Sequence, residues 1–105
     1  MNSSIFMVEI VGDVRFTVVG DKEISLVQFW AEFPKVRSVK GSNVFLVSVW
    51  GRKQIELIKN QGFKIGDSLL VAGSLALKTH AAVNSKNKYV ELSVSRVYSS
   101  SYLSA

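Results

Sequence analysis

The sequence of 105 residues provides enough chain for one domain and no more. With 48% hydrophobic and 20% charged residues it lacks the composition of a disordered protein, and with no cysteine it excludes a disulfide framework and thiolate metal sites. The 13 Lys and Arg residues against 8 Asp and Glu give a formal net charge of +5. That charge favours a polyanionic partner, and the alternative is that it only keeps a small protein soluble.

Hydrophobic residues alternate with a period of two through most of the chain, which indicates β-strands. The first predicted strand covers residues 5–16, with a bend or bulge at Gly12. A turn signal follows at Gly20. The second strand is predicted over residues 23–33 and is stopped by Pro34.

The third predicted strand, residues 43–50, has the clearest alternation. Phe45, Val47 and Val49 point to one side of this strand, where we expect the core. The residues on its other side are therefore expected to face away from the core: Val44, Leu46, Ser48 and Trp50.

Good helix formers predict a short helix over residues 52–61, with Gly62 as its C-terminal cap. A fourth strand is predicted over residues 68–79, with a bulge or a close backbone approach at Gly73. A polar hairpin loop and a fifth strand over residues 89–97 follow. The residues of this last strand expected to face inward are Val90, Leu92 and Val94.

Three strands, one short helix and two strands are the chain order of a five-stranded OB-fold barrel, in which the helix between strands three and four plugs the barrel. The sequence therefore predicts an all-β OB-fold domain over residues 1–98, followed by a short tail at 99–105. The alternative is another small β-barrel or sandwich with an incidental helix. No apolar run approaches the roughly 20 residues that span a bilayer, and the first residues do not resemble a signal peptide. We therefore expect no membrane association.

Residues that form enzyme active sites are nearly absent. His80 is the only histidine, so in a chain without cysteine it forms neither a metal cluster nor a cysteine–histidine pair. The carboxylates are dispersed, and there is no glycine-rich phosphate-binding loop. The sequence predicts a protein that is not an enzyme and that uses no cofactor or metal.

Aromatic and basic residues that face away from the core are the remaining candidates for function. Aromatic side chains stack on the exposed bases of a single strand, and basic side chains contact its phosphates. Trp50 is the best candidate, because it lies opposite the core side of its strand and is followed by Arg52 and Lys53. The alternative is that Trp50 covers the end of the barrel or a subunit interface.

Two basic segments extend this candidate site. Trp30 and Phe33 end the second strand, and because Phe29 and Trp30 cannot both face the core, we expect Trp30 to be exposed. The following loop contributes Lys35, Arg37 and Lys40. The fourth and fifth strands and the loop between them, which OB-folds use as a clamp, contribute Lys78, His80, Lys86 and Lys88. The aromatic residues expected in the core are Phe16, Phe45 and Phe63.

Several segments resemble the bacterial-type single-stranded DNA-binding protein family, in particular its short cyanobacterial and plastid members. Residues 1–10 are similar to the family's first strand, and residues 14–16 (Val-Arg-Phe) to its Val-Arg-Tyr segment. Residues 47–52 (Val-Ser-Val-Trp-Gly-Arg) resemble the end of its third strand. The most specific match is residues 62–75, Gly-Phe-Lys-Ile-Gly-Asp-Ser-Leu-Leu-Val-Ala-Gly-Ser-Leu, whose outline primosomal relatives share.

This resemblance implies that Trp50 occupies a base-stacking position and that His80 aligns with a second one. Val44 and Leu46 depart from the family pattern, which has a tryptophan at the first position and a basic or polar residue at the second. Glu9 stands where a glycine is common. The sequence stops without the acidic tail by which bacterial members recruit other proteins. We therefore expect modest affinity and no recruitment through a tail.

The resemblance implies non-enzymatic binding of single-stranded DNA, with RNA as an alternative ligand, in replication, recombination or repair. It also implies a homotetramer, with a dimer as the alternative, in the cytoplasm with the nucleoid or in the stroma of a plastid that encodes it. Two other interpretations stay open. The first is a dimeric primosomal-type accessory protein. The second is an OB-derived protein-interaction subunit that binds nucleic acid weakly.

Overall fold

Six β-strands and one α-helix make up the fold. The computed structural model describes residues 3–18, 24–34, 44–79 and 88–98 of the chain. The elements in chain order are β1 (Ser4–Ile10), β2 (Arg15–Val18), β3 (Ile24–Glu32), β4 (Val44–Trp50), α1 (Arg52–Gln61), β5 (Ser68–Thr79) and β6 (Lys88–Tyr98). β1 and β2 are the two parts of the predicted first strand, separated at residues 11–14.

Five of the strands close into a barrel. The sheet has the order β1-β5-β6-β4-β3-β2, and a further pairing of β1 with β3 closes the ring. That closure is short, with Glu9 opposite Glu32 and Ile10 opposite Ala31. β4 and β6 run parallel, and the other pairs are antiparallel. With α1 between the third and fourth barrel strands in chain order, the predicted OB-fold architecture is confirmed.

The core follows the alternation in the sequence. Phe45, Val47 and Val49 on β4 are buried, as predicted, together with inward-facing residues of the other barrel strands. Ile55 and Ile58, one turn apart on α1, are buried against the same core. Burial of each such side chain stabilises the fold by about 1.5–3 kcal/mol. Among the described residues, these buried side chains form one contiguous core inside the barrel.

α1 is fixed at both of its ends. Gly62 ends the helix in the left-handed conformation, with φ 65° and ψ 43°, and its N–H donates to the carbonyl of Ile58 over 3.2 Å. Both the predicted bounds and the predicted cap are confirmed. The Gln54 side chain accepts a hydrogen bond of 2.7 Å from the Val97 N–H, which joins α1 to β6. Within the described ranges, no helix is long and apolar enough to cross a membrane.

A β-bulge lies where β5 pairs with β6. Gly73 pairs with Val94, but its neighbour Ala72 pairs with Arg96, so that Ser95 is the extra residue. A Cβ atom at Gly73 would lie 2.1 Å from the Ser93 carbonyl oxygen, so only glycine fits. The predicted irregularity at Gly73 is therefore confirmed, although the inserted residue belongs to the partner strand.

The prediction that Phe16 lies in the core was wrong, and the prediction that Val90 faces inward was right in direction although the side chain is not buried. Phe16 is 39% exposed, because β2 is the last strand of the sheet and no described residue covers it. Val90 does point to the inner side, opposite Leu77, but both are exposed because the β5–β6 hairpin extends beyond the barrel there. Phe63 packs against the core as predicted. The predicted turn at Gly20 and the tail at 99–105 lie outside the described residues.

Candidate nucleic-acid interface

One wall of the barrel carries three of the six candidate residues whose side chains the structure describes: Trp30, Trp50 and Lys78. We call its solvent side, opposite the core, the outer face; it is formed by alternate residues of neighbouring strands. In the pairing of β3 with β4, Leu26 lies opposite Trp50, and Trp30 lies opposite Leu46. The outer face also includes Arg15, Gln28, Ser48, Lys78, Tyr89, Glu91 and Ser93.

Trp50 ends β4 and is 49% exposed. An open cleft of about 360 Å³ lies beside the indole. The remainder of its lining is small: glycines 51 and 73, serines 3, 74, 93 and 95, and Val94. Because small side chains surround the ring, a flat group has access to it. The predicted exposure of Trp50 is thus observed.

Trp30 lies on the same face, as the alternation with the buried Phe29 predicts, but it is half-buried where we expected an exposed side chain. Its ring meets Tyr89 of β6 edge-on, with 6.4 Å between ring centroids. Its other side packs on Gly12, where an added Cβ atom would lie 3.1 Å from the Trp30 Cβ. Trp30 and Trp50, which we call the outer pair, are about 13 Å apart along the strand direction, since four residues separate Leu46 from Trp50.

A row of polar groups crosses the outer face between the two tryptophans. The Gln28 amide donates to the Ser48 hydroxyl over 3.0 Å, and that hydroxyl donates to a Glu91 carboxylate oxygen over 2.5 Å. The other Glu91 oxygen lies 4.0 Å from the Lys78 ammonium group. The row spans four neighbouring strands, and Ser48 is fully buried beneath its partners.

Three of the predicted cations are described, and they differ in setting. Lys78 is about half exposed on the outer face. Arg52 and Lys53 are exposed in the first turn of α1, where Arg52 lies 3.8 Å from Glu56. Such exposed pairs contribute little to stability.

Phe33 lies on a different side from the outer pair. Its ring centroid is 4.5 Å from that of the buried Phe45 and 5.8 Å from that of Phe6. These three residues, which we call the end cluster, lie at one end of the barrel. The structure therefore does not bring Phe33 together with Trp50.

Five predicted site residues lie outside the described residues: Lys35, Arg37, Lys40, His80 and Lys86. The backbone of Lys88 belongs to β6, but its side chain is not described. Four residues that the sequence reasoning missed are prominent on the outer face: Arg15, Gln28, Ser48 and Glu91. The signal for them was polar residues at outward positions of otherwise apolar strands. Among the described residues, no group of three or more His, Asp or Glu side chains is arranged to hold a metal ion.

Comparison with known proteins gives a structural likeness. No protein-family model matches the chain, and no curated protein sequence matches it. The crystal structure of a small single-stranded DNA-binding protein from Streptomyces coelicolor is similar, with a TM-score of 0.64 over 93% of both chains and 13% sequence identity. At this identity the likeness shows the fold alone. The described residues thus form an OB-fold barrel with a tryptophan half exposed on its outer wall.

Proposed function

We propose that this protein binds single-stranded DNA without catalysing a reaction. Bases stack on the outer face and phosphates contact the cations around it. The observation that carries the proposal is Trp50, an indole 49% exposed at the end of a barrel strand. The OB-fold supports it as well, because these barrels commonly bind oligonucleotides on this wall. The protein of similar structure from Streptomyces coelicolor is itself named as a single-stranded DNA-binding protein.

Stacking explains why such a tryptophan stays exposed. Every base has an aromatic face, and one base stacked on an aromatic side chain contributes about 1–3 kcal/mol to binding. In a duplex the bases are stacked on one another, so their faces are not available. The outer pair therefore favours single strands over duplex, and it does so with little dependence on sequence.

Positive charge supplies the second part of the proposed affinity. Lys78, Arg52 and Lys53 are exposed near the outer face, and the formal net charge is +5. Each phosphate that they neutralise releases counterions, so binding weakens as salt rises. We include the remaining predicted cations in the proposal: Lys35, Arg37, Lys40, His80, Lys86 and Lys88.

The biological role and the assembly are part of the same proposal. We place the protein in DNA replication, recombination or repair, as a homotetramer with a dimer as the alternative. The outward side chains of β1 support an assembly, because Ile5 is 61% and Met7 40% exposed. The second candidate is a protein-interaction subunit, and the exposed Leu75 and Leu77 of the β5–β6 hairpin favour it.

A titration of fluorescently labelled oligo(dT) tests the proposal. We expect binding to the single strand at low salt, weaker binding to a duplex of equal length, and quenching of tryptophan fluorescence. Trp50→Ala should weaken binding by about 1–3 kcal/mol. The matched control is Ile65→Ala, which removes an equally exposed apolar side chain from the turn before β5.

Three results of the titration would contradict the proposal. Absence of binding at low salt would favour the protein-interaction subunit. Equal affinity for duplex and single strand would exclude stacking. An equal effect of the Trp50 and Ile65 variants would show that Trp50 is not the platform. Light scattering on the same sample separates dimer from tetramer.

A further inference from the structure

A small pocket lies beside Trp30 on the outer face. It has a volume of about 150 Å³ and is lined by Arg15, Gln28, Phe29, Trp30 and Leu46. Sites for drug-sized ligands usually exceed about 300 Å³. This pocket therefore has room for one flat heterocycle. Its walls combine the ring of Trp30 and the side chain of Leu46 with two polar residues, Arg15 and Gln28.

The orientation of the Gln28 amide follows from the polar row. The Glu91 carboxylate only accepts hydrogen bonds, so the Ser48 hydroxyl must give it its single hydrogen. Ser48 is then left with lone pairs only, and it accepts from the Gln28 amide nitrogen. The Gln28 amide oxygen consequently points away from Ser48, and it has no hydrogen-bond donor among the described residues.

Burial holds this arrangement in place. Ser48 is 0% exposed, so a wrongly turned Gln28 amide would leave a buried hydroxyl facing an acceptor. Burying a polar group without a partner costs about 1–3 kcal/mol. The row Glu91–Ser48–Gln28 therefore presents one acceptor oxygen at the pocket with a fixed orientation.

Arg15 supplies the donors. It lies directly opposite Gln28 in the β2–β3 pairing, and it forms no ion pair with any described residue. A guanidinium group carries five N–H donors in a planar fork, which suits two neighbouring acceptors on a base. The pocket thus offers donors and an acceptor side by side, next to the ring of Trp30.

We infer that this pocket binds one base of the DNA strand and that it prefers guanine. The base stacks against Trp30, the Arg15 fork donates to N7 and O6, and the Gln28 oxygen accepts from the neighbouring N1–H. Arginine paired with O6 and N7 of guanine is the commonest specific contact between proteins and DNA bases. Thymine offers one carbonyl and one N–H on the corresponding edge, so it satisfies the fork only in part.

This inference rests on the proposed function, and one set of oligonucleotides tests the two separately. The probes are a labelled oligo(dT) 12-mer, the same strand with one central guanine, and the same strand with 7-deazaguanine there, which lacks N7. A single guanine avoids four-stranded structures. We expect the strand with guanine to bind at least about fivefold tighter than the oligo(dT) 12-mer, because one good bidentate contact to a base has about this effect. The strand with 7-deazaguanine should lose most of that gain.

Variants locate the effect in the pocket. Arg15→Lys keeps the charge and removes the fork, so it should abolish the guanine gain while oligo(dT) still binds. The matched control is Arg96→Lys; Arg96 is an exposed β6 arginine that pairs with Ala72 and lies outside the pocket. The control should keep the gain. Arg15 is exposed on the terminal strand of the sheet, so its replacement leaves the core intact.

The outcomes separate the two proposals. If oligo(dT) binds and guanine adds nothing, the base pocket is wrong and the proposed function stands. If the gain survives 7-deazaguanine or Arg15→Lys, guanine is recognised elsewhere and the pocket is again wrong. If no strand binds at all, both proposals fail.

Discussion

Two groups of aromatic residues, the outer pair and the end cluster, each contain one exposed ring, and the surroundings of these two rings differ. Trp50 of the outer pair is 49% exposed, and Phe33 of the end cluster is 37% exposed. Phe33 has a ring neighbour on either side, Phe6 and the buried Phe45. Within the described part of the chain, Trp50 has no ring neighbour.

The difference shows that exposure alone does not identify a binding residue. The residue's position in the strand alternation decides which side of the barrel wall it occupies. Phe33 follows Phe29 and Ala31 at a spacing of two and so continues the inward row one residue beyond the end of β3, whereas Trp30 belongs to the outward row. We therefore propose that the outer pair binds DNA, whereas the end cluster packs against the core and contributes to stability.

The largest expected effect is on the stability of the end cluster. Phe45→Ala removes a ring that is 97% buried, and it should lower the free energy of unfolding by about 3–5 kcal/mol. Urea unfolding followed by circular dichroism measures this loss. Val18→Ala, an exposed change on β2, should stay within about 0.5 kcal/mol. Similar losses in the two variants would show that the ring at position 45 is not part of a packed core.

Trp30 combines the two roles, because it contacts Tyr89 and also lies on the outer face. Trp30→Ala should weaken oligo(dT) binding by about 1–3 kcal/mol. It should also lower the free energy of unfolding by about 1 kcal/mol through the lost ring contact. Trp50→Ala, its matched control, should affect binding alone. Unchanged stability in the Trp30 variant would remove the distinction between the two tryptophans.

Phe33 distinguishes the two groups, because the sequence predicts it in the binding site and the structure places it in the end cluster. Phe33→Leu keeps an apolar side chain but loses the two ring contacts, so the free energy of unfolding should fall by about 1 kcal/mol. Oligo(dT) affinity should not change. A clear loss of affinity with normal stability would return Phe33 to the binding site.

The smallest expected effect is electrostatic. Lys78→Gln removes one cation from the outer face, so the plot of log affinity against log salt should become shallower by about 0.7, the value for one phosphate contact in a single strand. Lys59→Gln removes the same charge from the far end of α1 and should leave the slope unchanged. Equal slopes for both variants would show that Lys78 contacts no phosphate.

The architecture followed from local signals in the sequence. Alternation gave the buried side of β4, helix formers followed by Gly62 gave α1, and Gly73 marked the bulge. The exposure of Phe16 and Val90 was missed because alternation assigns a side chain to a side of a strand and says nothing about whether another element covers that side. Coverage depends on the order of strands in the sheet, which involves residues far apart in the chain.

The candidate site was predicted only in part for a related reason. Trp50 was found because an aromatic residue at an outward position is conspicuous in a single strand. Gln28, Ser48 and Glu91 belong to β3, β4 and β6, and each looks like an ordinary surface residue on its own. Only the pairing of these strands brings them into one hydrogen-bonded row, and the sequence does not state that pairing.

The place of β6 in the ring has a consequence for how the protein is made. β6 is the last strand in the chain order of the described elements, yet it lies between β5 and β4. Until β6 pairs, β5 is hydrogen-bonded to β1 alone, and the barrel stays open between β5 and β4. Barrels dominated by such distant pairings fold in milliseconds to seconds. During synthesis the apolar inner surface therefore stays uncovered until the last strand has left the ribosome, and this is when the chain is most exposed to aggregation.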